Sequence, residues 1–228
     1  MCGITGFWAS TCHLAGEDLN REVLAMGHSI AHRGPDDRGE WIDTDIGIAL
    51  AHRRLSIVDL SPAGHQPMVS ACGRYVIVFN GEIYNYRELR GMLISRGVRL
   101  RTQSDTETIL GLYELFGEDC VDHLRGMFAF ALWDAPRRRL VAARDRLGIK
   151  PLYLFRRRDT VALASEIKAL LELEGAAPDP DLETVGEYLS FRSLEGVRTM
   201  FRGVERVAPG EIVVFDERSE RHRKYWTA

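Results

Sequence analysis

The second residue of this chain, Cys2, carries the most chemical potential of any side chain in the sequence. A small residue at position two permits removal of Met1, and removal leaves an α-amine and a thiol on one residue. The amine, with an ordinary pKa of about 8, is partly unprotonated at neutral pH and can act as the base that activates its own thiol. Four further stretches supply what such a nucleophile needs. Asn80-Gly81-Glu82 offers a side-chain amide beside a backbone N–H, the donor pair of an oxyanion hole, although Asn-Gly is equally the signature of a tight turn. Arg54, at the head of Arg54-Leu55-Ser56-Ile57-Val58-Asp59, can hold a carboxylate in a two-pronged grip, or be an ordinary surface arginine. Asp105 can hold an ammonium group, or simply sit where a helix dipole favours an acid. Arg33-Gly34-Pro35-Asp36-Asp37-Arg38-Gly39 reads as a polar loop able to close over a ligand, or as a plain turn.

Other chemistries find no support. No G-x-G-x-x-G or G-x-x-x-x-G-K-[ST] loop is present, so nucleotide-phosphate binding is not visible. The seven histidines lie away from paired cysteines, and His28 and His32, four residues apart, fit the end of a helix better than half of a metal site. No G-x-S-x-G elbow and no papain-like cysteine signature occurs. Cys2, Cys12, Cys72 and Cys120 contain no C-x-x-C pair, which argues against a zinc knuckle or a disulfide framework. All but Cys2 are expected to be buried small hydrophobes.

These groups must be positioned by a folded scaffold, and the composition provides one. The 228 residues are 45% hydrophobic and 28% charged with net charge −3, as in a globular protein and unlike a basic nucleic-acid binder. No apolar run is long enough for a membrane span, and the N-terminus has no secretory pattern, so a cytoplasmic location is expected, without membrane or nucleic acid as partner. Helical spacing links Leu19, Val23, Met26 and Ile30, and then Tyr86, Leu89 and Leu93. Ser104-Asp105-Thr106-Glu107 reads as a capping box opening a helix through Ile109, Leu110, Tyr113 and Phe116 to Gly117. Asp181 should cap a fourth helix through Leu182, Val185 and Leu189. Strands are expected at Ile4–Trp8, Ile46–Ala51, Tyr75–Phe79, Met127–Trp133, Leu140–Ala143, Leu152–Phe155, Val161–Ala164 and Ile212–Phe215. In Met127–Trp133, Phe128, Phe130 and Leu132 fall on one face and Met127, Ala129, Ala131 and Trp133 on the other, so both faces need cover. The short turn Asp134–Arg139 implies an antiparallel hairpin. Doubly covered strands without parallel crossovers predict an α+β fold of two stacked sheets with helices outside.

The ordered set Met1-Cys2-Gly3-Ile4, His32–Asp37, Arg54–Asp59, Phe79-Asn80-Gly81-Glu82-Ile83-Tyr84-Asn85, Ser104–Glu107 and Ala143–Tyr153 spans nearly the whole chain. It closely resembles glutamine-hydrolysing asparagine synthetase, within the N-terminal-nucleophile (Ntn) class II glutamine amidotransferases. The Gly-Pro-Asp-Asp and Gly-Ile-Lys-Pro-Leu-Tyr stretches are similar to that branch rather than to glucosamine-phosphate synthase or phosphoribosyl amidotransferase. The resemblance implies a four-layer αββα Ntn hydrolase fold. It implies an amidotransferase domain over residues 1–210, with 211–228 as a last strand and the start of a linker toward an ATP-dependent synthetase half.

By the same resemblance, Cys2 is the nucleophile that attacks the side-chain amide of L-glutamine, and Asn80 and Gly81 are the oxyanion donors. Arg54 would hold the substrate carboxylate, Asp105 and Glu82 its ammonium, and backbone near Leu55, Ile57 and Val58 would line the pocket. No cofactor or metal is implied in this chain; ATP and Mg belong to the synthetase half, which is the implied partner, and a homodimer is compatible. That half's Ser-Gly-Gly-x-Asp-Ser loop is not in these residues, and Tyr225-Trp226 resembles the junction before it. The chain then reads as an excised domain, a truncated product or one subunit of a split enzyme. Three alternatives stay open: a domain serving another carboxylate acceptor, a non-catalytic domain of the same fold, and an Ntn hydrolase for another amide.

Overall fold

A computed structural model of the chain describes residues 1–10, 16–56, 62–157, 159–173 and 175–227. Two six-stranded antiparallel sheets stack face to face. The first contains β1 (Gly3–Ala9), β2 (Asp37–Asp43), β3 (Ile48–Arg54), β8 (Tyr153–Arg157), β9 (Thr160–Ala164) and β10 (Val204–Arg206), in the order β10-β8-β9-β1-β3-β2. The second contains β4 (Met68–Val69), β5 (Tyr75–Ile83), β6 (Gly126–Asp134), β7 (Arg139–Arg144), β11 (Glu211–Phe215) and β12 (Glu220–Lys224), in the order β12-β11-β7-β6-β5-β4. Helix α1 (Gly16–Ser29) and the single turn α4 (Ile167–Leu170) cover the first sheet; α2 (Tyr86–Ser95) and α3 (Asp105–Phe116) cover the second. A further helix, α5 (Leu182–Phe191), precedes β10.

The alternation along β6 explains this layering. Phe128, Phe130 and Leu132 pack with Leu93, Ile109 and Tyr113 beneath the helices. Ala129, Ala131 and Trp133 face Ile4, Trp8 and Leu50 of the other sheet. Small residues let the sheets close, and Trp8 meets Trp133 edge-on at 5.1 Å between ring centres. The third core lies between the first sheet and α1, where Leu19, Val23, Met26 and Ile30 pack on Phe7, Ala49 and Ala51, as their spacing predicts. The hairpin after β6 pairs with β7 as expected.

Several local expectations are corrected. Ser104 does cap α3, accepting Thr106 N–H at 3.1 Å, but Glu107 does not close the box. Its carboxylate accepts instead from the N–H groups of Arg101 and Thr102, because the chain curls back before the cap. Residues 37–39 belong to β2, an edge strand whose polar sequence hid it, while Gly34, Pro35 and Asp36 pack along β3 rather than arching over a ligand. The Asn80-Gly81 pair is not a turn: β5 runs on through Ile83, paired with β6 as far as Gly126. Cys120 is buried but Cys72 is exposed, and Cys12 lies outside the described residues. Asp181 caps α5 through Thr184 N–H, whereas Leu182 and Leu189 stay exposed. Strand β11 pairs with both β7 and β12, carrying the second sheet through Lys224. Among the described residues no helix is long and apolar enough to cross a membrane.

Candidate active site

Strand register creates the site. Gly3 pairs with Arg53, so the antiparallel ladder leads Cys2 and Arg54 to the same end of the first sheet. Across the sandwich, the far half of β5 brings Asn80, Gly81 and Glu82, and the first residue of α3 brings Asp105. These residues line one cleft of about 90 Å³ together with Leu55, Gln66, Thr106, Met127 and Lys150. The structure thus joins Cys2, Arg54, Leu55, Asn80, Gly81, Glu82 and Asp105. Ile57 and Val58 lie outside the described residues.

Cys2 is held on both sides. Its Sγ is 3.4 Å from Leu55 N–H, which donates to it, and 3.5 Å from the Leu55 carbonyl. Arg33 Nε donates to the Cys2 carbonyl at 3.0 Å, and Arg33 Nη1 donates to Glu166 at 2.9 Å. Burial would raise the Glu166 carboxyl, but hydrogen bonds from Arg33, His32 and Lys168 outweigh it and hold the group below its ordinary range. The Arg33 guanidinium therefore keeps an anionic anchor while it fixes the backbone of Cys2. Gly64 sits directly under Arg54: a Cβ there would overlap Arg54 Nη2, so only glycine lets the guanidinium lie where it does.

The free edge of β5 provides the opposing wall. Alternate N–H groups of a strand point to the same edge, and β4 covers only Val76 and Ile77 of this one. Farther on, Phe79 N–H donates to Gln66 Oε1 at 2.6 Å, and Ile83 N–H donates to Asp105 Oδ2 at 3.0 Å. Gly81 N–H lies between them on the same edge. It is not used by β6, because its cross-strand partner Phe128 turns both its N–H and its carbonyl to Asp145. A Cβ at Gly81 would overlap Met127 O and the Phe128 backbone. Beside it, Asn80 is 1% exposed and its buried Nδ2 has no hydrogen-bond partner. A buried amide donor without an acceptor costs free energy, roughly 1–3 kcal/mol, unless something arrives to accept it.

Two buried groups complete the electrostatics. Burial pushes the Asp105 carboxyl above its ordinary range; the N–H groups of Ile83 and Thr106 oppose this and the charge of Glu82 adds to it. His52, wholly buried behind the site, shares a 3.1 Å hydrogen bond with the Phe79 carbonyl, and burial lowers its pKa to about 3, so it is a neutral strut between the sheets. Among the described residues no group of three or more His, Cys, Asp or Glu side chains could hold a metal ion.

Gln66 and Lys150 also line the cleft, although neither is assigned a role in the site on sequence grounds. Gln66 precedes a proline in a loop, and Lys150 reaches the cleft because Asp145 accepts the N–H groups of Leu147, Ile149 and Lys150 and folds the loop inward. Lys150 Nζ then lies 3.3 Å from Met1 Sδ. The apolar-free run Gly-His-Gln-Pro after Arg54 was the available signal for Gln66, and only its folded partners give it meaning.

A putative glutamine-hydrolysing asparagine synthetase of Mycobacterium bovis is 40% identical over 224 residues, 92% of this chain and 34% of its own. Asparagine synthetase 3 of Bacillus subtilis is 36% identical, with 99% of this chain and 36% of its own covered. Amidase chry2 of Gibberella zeae is 38% identical, with 99% and 34% covered. The chain spans about a third of the length of these curated relatives. Among solved structures, glutamine phosphoribosylpyrophosphate amidotransferase from B. subtilis superposes with a TM-score of 0.71 at 19% identity, over 99% of this chain and 50% of that one. It shares the layered αββα Ntn fold. A family model of the glutamine amidotransferase domain matches residues 1–226, and the chain, with its cleft assembled from the ends of β1, β3 and β5, belongs to that family.

Proposed function

We propose that this domain hydrolyses L-glutamine to glutamate and ammonia through a γ-glutamyl thioester on Cys2. The observation that carries the reading is the pair of donors aimed at the cleft opposite Cys2: the buried, unpartnered Asn80 Nδ2 and the Gly81 N–H on the open edge of β5. With Met1 removed, the Cys2 α-amine takes the thiol proton through water and Leu55 N–H stabilises the sulfur anion. Sγ adds to the side-chain carbonyl carbon, and the oxygen, now negative, is received by Asn80 and Gly81. The proton returns to the leaving nitrogen, the C–N bond breaks and ammonia departs. Water, deprotonated by the same amine, then cleaves the thioester to free glutamate and the thiol.

Arg54 holds the α-carboxylate, Asp105 with Glu82 holds the α-ammonium, and Leu55 lines the pocket. An arginine and a carboxylate lining the same cleft suit the two termini of a free amino acid. The ammonia would pass to an ATP- and Mg-dependent synthetase half that amidates aspartate to asparagine in the cytoplasm; the similarity to longer asparagine synthetases supports this partner. Intact-mass analysis of the N-terminus combined with a glutamate-release assay tests the reading. A chain beginning at Cys2 should release glutamate, and Cys2→Ala should release none while still binding glutamine. Undiminished release by Cys2→Ala would overturn the mechanism.

A further inference from the structure

We propose that Gln66 is a positioning residue that sets the spacing between the oxyanion donors and the ammonium acceptor, and so makes the site select glutamine over the shorter asparagine. The inference rests on the glutaminase reading above and adds to it the residue that measures the substrate.

Gln66 is 5% exposed and lines the cleft, and its side chain joins β5, which carries Asn80 and Gly81, to α3, which carries Asp105. Oε1 accepts Phe79 N–H at 2.6 Å, one residue before Asn80. Nε2 donates to Thr106 Oγ1 at 3.3 Å, one residue after Asp105. The amide can only be oriented this way round, because Phe79 N–H is a donor and requires the oxygen. The backbone of Gln66 is itself seated: a Cβ at Gly39 in β2 would overlap Gln66 O. One side chain thus ties β5 to the start of α3 from a base anchored on the first sheet.

Besides the core contact of Tyr75 with Tyr113, a second hydrogen bond near the site ties β5 to α3, from Ile83 N–H to Asp105. A substrate ammonium would draw on the same carboxylate, so the Asp105 tie is the one that binding perturbs. Gln66 takes no part in that contact, since its partners are Phe79 N–H and Thr106 Oγ1. Successive outward N–H groups on the edge are one two-residue step apart, about 7 Å. The cradle therefore runs Gln66 on Phe79, an open position at Gly81, then Asp105 on Ile83. A substrate spanning from Gly81 to Asp105 is measured by that step as long as α3 does not slide. Asparagine is one methylene shorter and leaves one end unmet.

The test compares kcat/KM for glutamine and asparagine in Gln66→Met, which keeps length and loses both hydrogen bonds, and in Thr106→Val, which releases only the helix end. Misplacing reacting groups by about 1 Å costs on the order of a hundredfold. Gln66→Met should lose about that factor toward glutamine and much less toward asparagine, compressing the ratio at least tenfold; Thr106→Val should shift it the same way by less. Equal losses for both substrates, as from a merely structural role, would overturn the proposal. So would an unchanged ratio, or asparagine hydrolysis that stays undetectable while glutamine hydrolysis persists. If Gln66→Met fails to melt cooperatively, Thr106→Val decides. Absence of glutamate release from the unsubstituted chain starting at Cys2 would instead sink the glutaminase reading.

Discussion

On the proposed mechanism, replacing Asn80 with alanine removes a donor that the resting protein does not use and the transition state does. Asn80 is 1% exposed on β5, flanked by the paired backbone of β6, and its Nδ2 is buried without a partner. In the unliganded protein that amide is a liability, so truncation offsets the loss of a few packing contacts by removing an unsatisfied donor worth roughly 1–3 kcal/mol. Stability should change by no more than about 1 kcal/mol, a Tm shift of about 2–4 °C for a chain of this size. When Sγ adds to the amide carbon, the same Nδ2 meets a full negative charge in a site shielded from water. Loss of one such donor costs about 2.7–4 kcal/mol, or a factor of 10²–10³ in kcat. Because the interaction strengthens only as charge develops, KM should change little. The assay is steady-state glutamate release with a parallel melting curve. A kcat within about threefold of the unsubstituted chain would refute the reasoning. A large loss of kcat accompanied by a Tm drop well beyond the few degrees above would assign the effect to the scaffold instead.

Asp105→Asn should separate stability from binding. Burial raises this carboxyl, so between its unfolded and folded pKa values the folded state holds more protons, and stability falls as pH rises through that interval. The cost persists at neutral pH and vanishes below the unfolded value, so the variant should melt higher than the parent at pH 7 but not at pH 3. It should also lose saturable glutamine binding; an equal Tm difference at both pH values would contradict the argument. Toward acid pH, KM for glutamine in the parent should begin to rise earlier than an ordinary carboxylate would dictate, as Asp105 protonates. Gly64→Ala places a methyl where Arg54 Nη2 lies. The guanidinium end can move, so the fold should survive, while KM for glutamine rises tenfold or more with kcat nearly intact. An unchanged KM would detach Arg54 from substrate binding.

Much of the scaffold was readable before any coordinates. The two-faced apolar pattern of Met127–Trp133 called for cover on both sides, and it has α3 on one and β1 and β3 on the other. The spacing of Leu19, Val23, Met26 and Ile30 placed α1 correctly because local periodicity and burial agree. Where pattern failed, the cause was a sheet edge, a strand too short to alternate or a competing backbone partner. β2 is polar because it borders its sheet, and β4 and β10 are too short to show alternation. Glu107 was assigned to a cap, yet two backbone N–H groups five and six residues upstream claim it.

The site divides in the same way. Residue types alone determined which groups can react: a thiol that can share its residue with a free amine, an amide beside a glycine, an arginine and two acids. Chemistry of that kind is intrinsic to a side chain and needs no neighbours to be recognised. Direction and company came only with the tertiary structure. The register of β1 on β3 leads Cys2 toward Arg54, and strand parity together with the ending of β4 leaves Gly81 N–H facing the cleft. Gln66 and Arg33 acquire their places from partners 13 to 133 residues away. Hydrogen bonds across such separations exist only once the sheets have stacked, which is why no local pattern announces them.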